Sequence, residues 1–184
     1  MSRGLGDVYK RQDVERTAKY ADPENPSSHQ LPAKHRLHGQ MQNVQGTVLW
    51  YAKAVVDNVG NIGQVLRNNY WRYPALQPPM PFLDDKAPKK PRKVKPVWTG
   101  DGYVLFWQKP KAKHWGDEAN RFVVYRFGAG EKVNLDDPSK IATVTDKTLY
   151  RLPYVDGGTK YTYVVTALDR VGNESKGKKK GIKL

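Results

Sequence analysis

The stretch KYTYVVTALDRVGNES, from Lys160 to Ser175, decides the fold of this chain. Its first half is rich in β-branched and aromatic residues, which favour strands. Apolar residues stand at every second position there, so one face of the strand is predicted to be buried. The residues that share this face are Tyr161, Tyr163, Val165 and Ala167. Turn-forming residues from 169 to 173 then end the strand and lead into a basic last segment.

Further strands are predicted on both sides of this one, with turn signals between them. Their bounds are Val94–Trp98, Tyr103–Trp107, Arg121–Phe127, Ile141–Val144, Thr148–Leu152 and Lys178–Leu184. Alternation points four of their side chains inward, namely Leu105, Trp107, Phe122 and Val124. Strands of this length and spacing predict a mainly β fold, a sandwich of two sheets. We expect each sheet to have one face in the core and one face in water.

The residues upstream of the sandwich have a different pattern of apolar residues. A short helix is predicted over Gln30–Met41, and Val44–Ala52 is a nearly continuous apolar run. Such a run fits a parallel strand that is buried on both faces. Apolar residues then recur at helical spacing over Ile62–Tyr70. Helix, buried strand, loop and helix in this order indicate part of a parallel α/β fold.

Composition shifts suggest four segments. Residues 1–12 have no periodicity and are interpreted as a non-native leader, so the chain is expected to begin inside a longer protein. Residues 13–83 form the α/β segment, and 84–93 form a Pro- and Lys-rich linker in which proline favours extended backbone. Residues 94–184 form the sandwich.

Charge and cysteine content exclude several classes of site. The chain has no cysteine, so disulfides, thiolate nucleophiles and Cys-based zinc sites are excluded. No apolar run approaches the about 20 residues of a membrane-spanning helix. The formal net charge is +14, concentrated in residues 86–113 and 176–183. These runs are interpreted as a solvated linker and tail, and the alternative is a surface that binds polyanions.

Three patterns resemble fibronectin type III domains. Leu105–Pro110 is similar to the second strand of that family, Phe122–Arg126 to the third and Tyr161–Ser175 to the sixth. The resemblance covers roughly residues 89–184. It implies a spacer or a binding module, which is not catalytic.

The upstream half resembles the end of bacterial glycoside-hydrolase-like family 10 proteins. The motifs that carry this resemblance are Gln42–Lys53, Leu66–Trp71 and Tyr73–Pro81. It implies that Gly46–Ala52 and Ile62–Tyr70 are the eighth strand and the eighth helix of a TIM (β/α)8 barrel. A barrel remnant followed by a fibronectin type III or Ig-like sandwich is therefore the expected architecture. The family also implies an exported or lipid-anchored parent, in the periplasm or at the cell surface.

The barrel remnant does not carry the groups that hydrolysis needs. Glycosidases use two carboxylates, which a TIM barrel presents at the C-terminal ends of several strands. No Asp or Glu lies within 44–56, so this part is expected to be inactive, with no cofactor and no metal. Candidate sugar-binding residues at the strand end are Trp50, Tyr51 and Lys53, and the alternative is that they pack or pair within the barrel. Trp115 on the sandwich is a candidate for stacking on a sugar ring, and packing over the sheet edge is the alternative.

Three functions remain open at this point. The chain is interpreted first as the non-catalytic end of a carbohydrate-active envelope protein, whose sandwich spaces or stabilises the barrel. The alternatives are a basic module that binds polyanions or glycans, and a purely structural spacer. We expect a monomer with carbohydrate bound through the missing barrel, contact between barrel and sandwich, and no specific nucleic-acid partner. Residues 13–83 are expected to pack poorly alone, with Val48, Leu49 and Trp50 partly exposed.

Overall fold

The fold was derived from a computed structural model, which describes residues 34, 37–38, 40–42, 44, 52–58, 61–112, 114–153 and 158–184. The chain divides into two compact units, Met1–Arg72 and Tyr73–Leu184. The second unit therefore includes the proline-rich stretch as well as the predicted sandwich. Within the described residues, no helix is both long enough and apolar enough to cross a membrane.

Most of the described residues of the first unit are helical. Helix α1 spans Ala52–Val56, and α2 spans Ile62–Val65 and continues as a π-helical turn over Leu66–Tyr70. Helical periodicity thus correctly predicts residues 62–70, and the apolar positions Ile62 and Leu66 are fully buried. The side-chain oxygen of Asn58 accepts hydrogen bonds from the first backbone N–H groups of α2, at 2.8 Å for Gly63.

One boundary in this unit differs from the prediction. Ala52, predicted as the last residue of a strand, is the first residue of α1 instead. Residues 45–51 lie outside the described part of the chain, so the predicted strand and the predicted exposure of Val48, Leu49 and Trp50 are untested. Of the predicted helix over 30–41, the described residues 34, 37, 38 and 40 are helical, whereas Met41 at its end is not.

The second unit contains every predicted strand of the sandwich. The strands are β1 (Arg92–Thr99), β2 (Gly102–Gln108), β3 (Arg121–Gly128), β4 (Ile141–Thr145), β5 (Leu149–Arg151), β6 (Lys160–Leu168) and β7 (Lys178–Lys183). A 3-10 turn at Pro138–Lys140 leads into β4, where the Asp137 carboxylate accepts a bond from the N–H of Ser139 at 2.9 Å.

The strands form two antiparallel sheets. One sheet has the order β1-β2-β5 and the other the order β4-β3-β6-β7. The longest pairing joins β3 and β6, from Arg121 opposite Leu168 to Gly128 opposite Tyr161. This order of strands is that of a fibronectin type III sandwich, so the predicted fold class is confirmed for the second unit.

The core lies between the sheets and contains the side chains that alternation points inward. Its buried members include Leu105, Trp107, Phe122, Val124, Tyr163, Val165 and Ala167, with Tyr161 partly buried beside them. The rings of Trp107 and Phe122 meet edge to face, with centroids 5.6 Å apart. Edge-to-face contact is a favourable arrangement of aromatic rings, so the two sheets are joined at this point.

The four-stranded sheet is also buried on its other face, which corrects the expectation of one wet face per sheet. A second apolar cluster covers it, formed by Val123, Tyr125, Phe127, Ile141, Val164 and Leu168. Leu76 from the proline-rich stretch and Val133 and Leu135 from the β3–β4 loop pack against this cluster. The cover therefore comes from segments that the sequence pattern assigns to a linker and a loop.

The antiparallel strands place their connections at two opposite ends of the sandwich. The start of β1, the β2–β3 loop and the β6–β7 turn share what we call the lower end. The β1–β2 hairpin and the β3–β4 and β5–β6 connections share the upper end. Each end carries a cleft.

Candidate functional site

The turn after β6 is organised by a single carboxylate. One oxygen of Asp169 accepts hydrogen bonds from the backbone N–H groups of Val171 and Asn173, both at 2.9 Å. The N–H of Asp169 in turn donates to the carbonyl of Asn173 at 3.2 Å. Asp169 is buried, so these bonds satisfy a charge that would be costly to bury unpaired.

This turn holds the proline-rich segment 74–91, which we call the proline strap. The side-chain amide of Asn173 donates to the second oxygen of Asp169 and to the carbonyl of Asp84, both at 2.9 Å. The backbone N–H of Met80 donates to the carbonyl of Val171 at 3.1 Å. The strap is thus bonded at two points four residues apart, and Leu76 packs on the sheet beside them.

Gly172 makes the close approach of the strap possible. It has a φ of 89°, a conformation that L side chains rarely adopt. A Cβ placed at Gly172 would lie 3.1 Å from the carbonyl oxygen of Gln77 and 3.4 Å from that of Pro78. A side chain at this position would therefore strain the turn and push the strap away from it.

A buried polar network anchors the residue that follows the turn. The hydroxyl of Tyr125 donates to Glu174 at 2.8 Å, and the hydroxyl of Thr166 donates to the same oxygen at 2.5 Å. Tyr125 and Thr166 are fully buried. Burial, followed by the hydrogen bond to Glu174, raises the pKa of Tyr125 well above its ordinary value. The network thus joins the covered face of the four-stranded sheet to the turn that holds the strap.

The carboxylates of the second unit that accept several hydrogen bonds have structural roles. Asp169 organises the turn, and Glu174 accepts two hydroxyl protons. At the upper end, a hydrogen bond from Lys140 lowers the pKa of Glu131, and a hydrogen bond from Ser139 lowers that of Asp137. A glycosidase acid needs a raised pKa, so these two groups are poorly suited to donate a proton at neutral pH.

Two of the four candidate sugar-binding residues can be placed. Lys53 lies in α1, where its ammonium contacts the carboxylate of Asp57 one turn later. Trp115 is 85% exposed, and the guanidinium carbon of Arg170 lies 5.1 Å from its ring centroid. The ring of Trp115 is thus largely in contact with solvent, beside Arg170. Trp50 and Tyr51 lie outside the described residues.

The upper end carries a polar cleft of about 490 Å³. Arg126 lies over the ring of Tyr161, 5.4 Å from its centroid. Glu131 and Lys140 line the same cleft and form an ion pair at 2.5 Å. The charges of these two residues are thus compensated by each other.

The lower end carries a groove of about 660 Å³, which we call the basic groove. It is lined by Ala87, Pro88, Lys89, Lys90, Arg92, Pro110, Lys111 and Lys176. These residues come from the strap, the start of β1, the β2–β3 loop and the β6–β7 turn. Pro88 and Pro110 are buried, whereas the five cationic residues are exposed.

Comparison with curated proteins gives a relative that is larger than this chain. The chain matches no known protein-family model. It is 32% identical over 151 residues to the glycosyl hydrolase YngK of Bacillus subtilis (strain 168), a match that covers 80% of this chain. The chain spans only 28% of the length of that relative.

Solved structures that resemble the chain match about half of it. A Fn3-like protein from Clostridium thermocellum is 27% identical with a TM-score of 0.38, and the match covers 52% of this chain and 92% of that one. The structure described as FN3tt mut is 19% identical with a TM-score of 0.40, covering 52% of this chain and 93% of that one.

Proposed function

We propose that this chain is the non-catalytic C-terminal portion of a glycosidase-like envelope protein, and that its sandwich is an accessory domain. In this proposal the sandwich binds the proline strap through hydrogen bonds. It thereby acts as a spacer next to the catalytic barrel that precedes it, or stabilises that barrel. The observation that carries the proposal is the bonding of the strap by Asn173 and Val171. Similarity to a glycosyl hydrolase over 80% of the chain supports its carbohydrate-active context.

The proposed barrel end is the family 10-like segment 13–83. Its eighth strand would lie within 46–52, and its eighth helix would be the segment 62–70, which is helical. The catalytic carboxylates would then belong to earlier strands of the barrel, since a TIM barrel draws its catalytic residues from several strand ends. Carbohydrate would be bound by that barrel, with Trp50, Tyr51 and Lys53 as candidate contacts and Trp115 as a candidate on the sandwich.

Docking changes what the strap does mechanically. An undocked proline-rich linker of 18 residues would be extended, up to roughly 55 Å long, and its direction relative to the sandwich would not be fixed. A strap bonded to the β6–β7 turn and packed through Leu76 is instead part of the sandwich. We therefore propose a stiff spacer rather than a flexible tether, in a parent located in the periplasm or at the cell surface.

Cleavage of the strap by chymotrypsin after Phe82 tests this role. Phe82 is 81% exposed but lies between the two bonded positions, so cleavage there requires the strap to detach. Asn173→Ala removes both side-chain hydrogen bonds of Asn173 and is expected to accelerate cleavage on the order of tenfold, because cleavage follows the detached population. Mass spectrometry of timed digests would give the rate.

Asn134→Ala is the matched control, because Asn134 lies in the exposed β3–β4 loop and accepts only the N–H of Asp136. It is expected to leave the cleavage rate unchanged. Equal rates for the native chain and Asn173→Ala would show that the turn does not retain the strap. Separately, release of reducing ends from bacterial cell-wall polysaccharide by this chain would refute its assignment as non-catalytic.

A further inference from the structure

We propose that the basic groove at the lower end binds an anionic polysaccharide, a glycan chain that carries carboxylate or phosphate groups. This adds a ligand to the sandwich itself and does not depend on the barrel that is proposed to precede it. The argument rests on the charge of the groove, on its apolar floor and on the residue types that it lacks.

The charges of the groove are uncompensated. Its lining contains five cationic residues and no acidic one: Lys89, Lys90, Arg92, Lys111 and Lys176. Among the residues that the structure describes, the ion pairs within 4.0 Å involve Lys53, Lys140 and Arg151, and none of the five groove cations. Like charges held together repel one another, so a polyanion that enters the groove gains attraction to all five.

The position of the cations is fixed by the fold. Lys89 and Lys90 lie at the end of the strap that leads into β1, and the other three come from the sandwich, so the groove forms where the strap meets the sandwich. Arg92 precedes an irregularity in the pairing of β1 with β2, where Lys93 adopts a φ of 48°. Such irregularities re-aim side chains at the ends of sheets. The fold therefore sets the backbone positions from which the five cationic side chains reach into the groove.

The floor of the groove suits a sugar better than a nucleotide. Ala87, Pro88 and Pro110 present apolar surface between the cations, which can contact the C–H groups of a sugar ring. None of the eight lining residues is aromatic. Sites for single-stranded nucleic acid combine a basic groove with aromatic side chains on which bases stack. The groove has the charges of such a site without its stacking platform.

Binding of oligogalacturonate to the full chain, measured by calorimetry at several salt concentrations, tests the proposal. The native chain is expected to bind this carboxylate-bearing glycan and to lose affinity as salt rises. A neutral galactose oligomer of the same length is expected to show no binding under the same conditions. The double variant Lys111→Gln/Lys176→Gln is expected to bind on the order of tenfold more weakly and with a shallower salt dependence.

Lys132→Gln/Lys160→Gln is the matched control, because it removes the same net charge from exposed residues outside the groove. It is expected to keep at least half of the native affinity. Equal losses in the two double variants would overturn the proposal, since net charge alone would then explain binding. Tighter binding of duplex or single-stranded DNA of equal charge would also overturn it, in favour of a nucleic-acid partner.

Failure of the groove proposal can be separated from failure of the proposed function. The groove variants do not touch Asn173, so their strap should remain as resistant to chymotrypsin as that of the native chain. Loss of glycan binding together with a resistant strap therefore reports on the groove alone.

Discussion

The outer faces of the two sheets differ in how far they are buried. The three-stranded sheet leaves Lys95, Phe106 and Leu149 across neighbouring strands in one row, where Leu149 is 42% exposed and Phe106 is half-buried. The corresponding face of the four-stranded sheet buries Tyr125 and Phe127 almost completely. One sheet therefore meets water, and the other is covered by the chain's own strap and β3–β4 loop.

This difference in burial indicates which sheet binds another segment of the chain. A sheet with two buried faces needs a partner for its second face, because exposed apolar surface destabilises the folded state. Here the partner is a segment about ninety residues upstream of the turn that bonds it, since Met80 contacts Val171. We infer that the four-stranded sheet is the one that positions the strap, and the following predictions compare it with the three-stranded sheet.

Truncating a phenylalanine on each outer face should give the largest contrast. Phe127→Ala removes a fully buried ring and is expected to lower the free energy of unfolding by about 3–5 kcal/mol. Phe106→Ala, on the half-exposed face, is expected to cost about 1–2 kcal/mol because less apolar area is lost from the interior. Urea unfolding of both variants measures the two values. Equal losses would mean that the strap and the loop do not protect the four-stranded sheet from water.

Glycines at opposite ends of the sandwich provide a second contrast. Gly172 and Gly102 both have a positive φ, but a Cβ on Gly102 would meet no atom within 4 Å, whereas one on Gly172 would meet the strap. Gly102→Ala is expected to cost about 1–2 kcal/mol from backbone strain alone, because its φ of 120° is one that L side chains rarely adopt. Gly172→Ala should cost about 2–3 kcal/mol, since the strap must also move.

Chymotrypsin cleavage after Phe82 distinguishes the two glycine variants independently of their stability. Only Gly172→Ala is expected to expose the strap to the enzyme. Faster cleavage in Gly102→Ala would show instead that general loosening of the sandwich, rather than contact with the turn, controls access.

The sequence predicts the strands of the sandwich but not what covers them. Strand periodicity depends on local sequence, so β6 and the inward residues Phe122 and Val124 could be found from alternation and β-branched content. The docking of the strap depends on bonds between residues far apart, such as Asn173 and Asp84, which no local pattern contains. One signal was present: Arg121–Phe127 carries apolar residues at consecutive positions, which indicates a strand that is buried on both faces.

The candidate site was missed for the same reason. The basic groove joins four segments that the sequence separates by up to ninety residues, so the charge runs taken one at a time indicate only a linker and a tail. Trp115 and Lys53 could be named as exposed candidates from residue type alone. The contacts that these two residues make are not equally predictable. Asp57 lies four residues after Lys53, a spacing at which side chains meet on a helix, whereas Arg170 lies far from Trp115 in the sequence.

Removing the hydroxyl groups of the two buried tyrosines, Tyr125 and Tyr163, should produce the smallest difference in stability between the covered face and the core. The hydroxyl of Tyr125 on the covered face donates to Glu174, whereas that of Tyr163 in the core makes no well-formed hydrogen bond among the described residues and has only Arg126 as a polar neighbour that lowers its pKa. At pH 8, Tyr125→Phe is expected to lower the free energy of unfolding by about 1–2 kcal/mol through the lost bond. Tyr163→Phe should leave it unchanged or raise it by about 1 kcal/mol, because a buried hydroxyl without a well-formed hydrogen bond is removed.

Raising the pH should reduce, and finally remove, the stability advantage of the native chain over Tyr125→Phe. Burial raises the pKa of Tyr163 to about 12, and it raises that of Tyr125 further above the ordinary value of 10.0. Above pH 10 the unfolded state releases these protons while the folded state keeps them. Each tyrosine therefore lowers the free energy of unfolding by about 1.4 kcal/mol per pH unit, up to its folded-state pKa.

A series of urea unfolding curves between pH 8 and pH 11.5 checks both tyrosine predictions. Each phenylalanine variant should lose stability less steeply than the native chain above pH 10, so Tyr125→Phe is expected to reach native stability near pH 11. Curves that stay parallel to that of the native chain would mean that the hydroxyl of Tyr125 ionises as readily in the folded protein as in the unfolded one. The face beneath the strap would then be open to water, and the contrast between the two sheets would not hold.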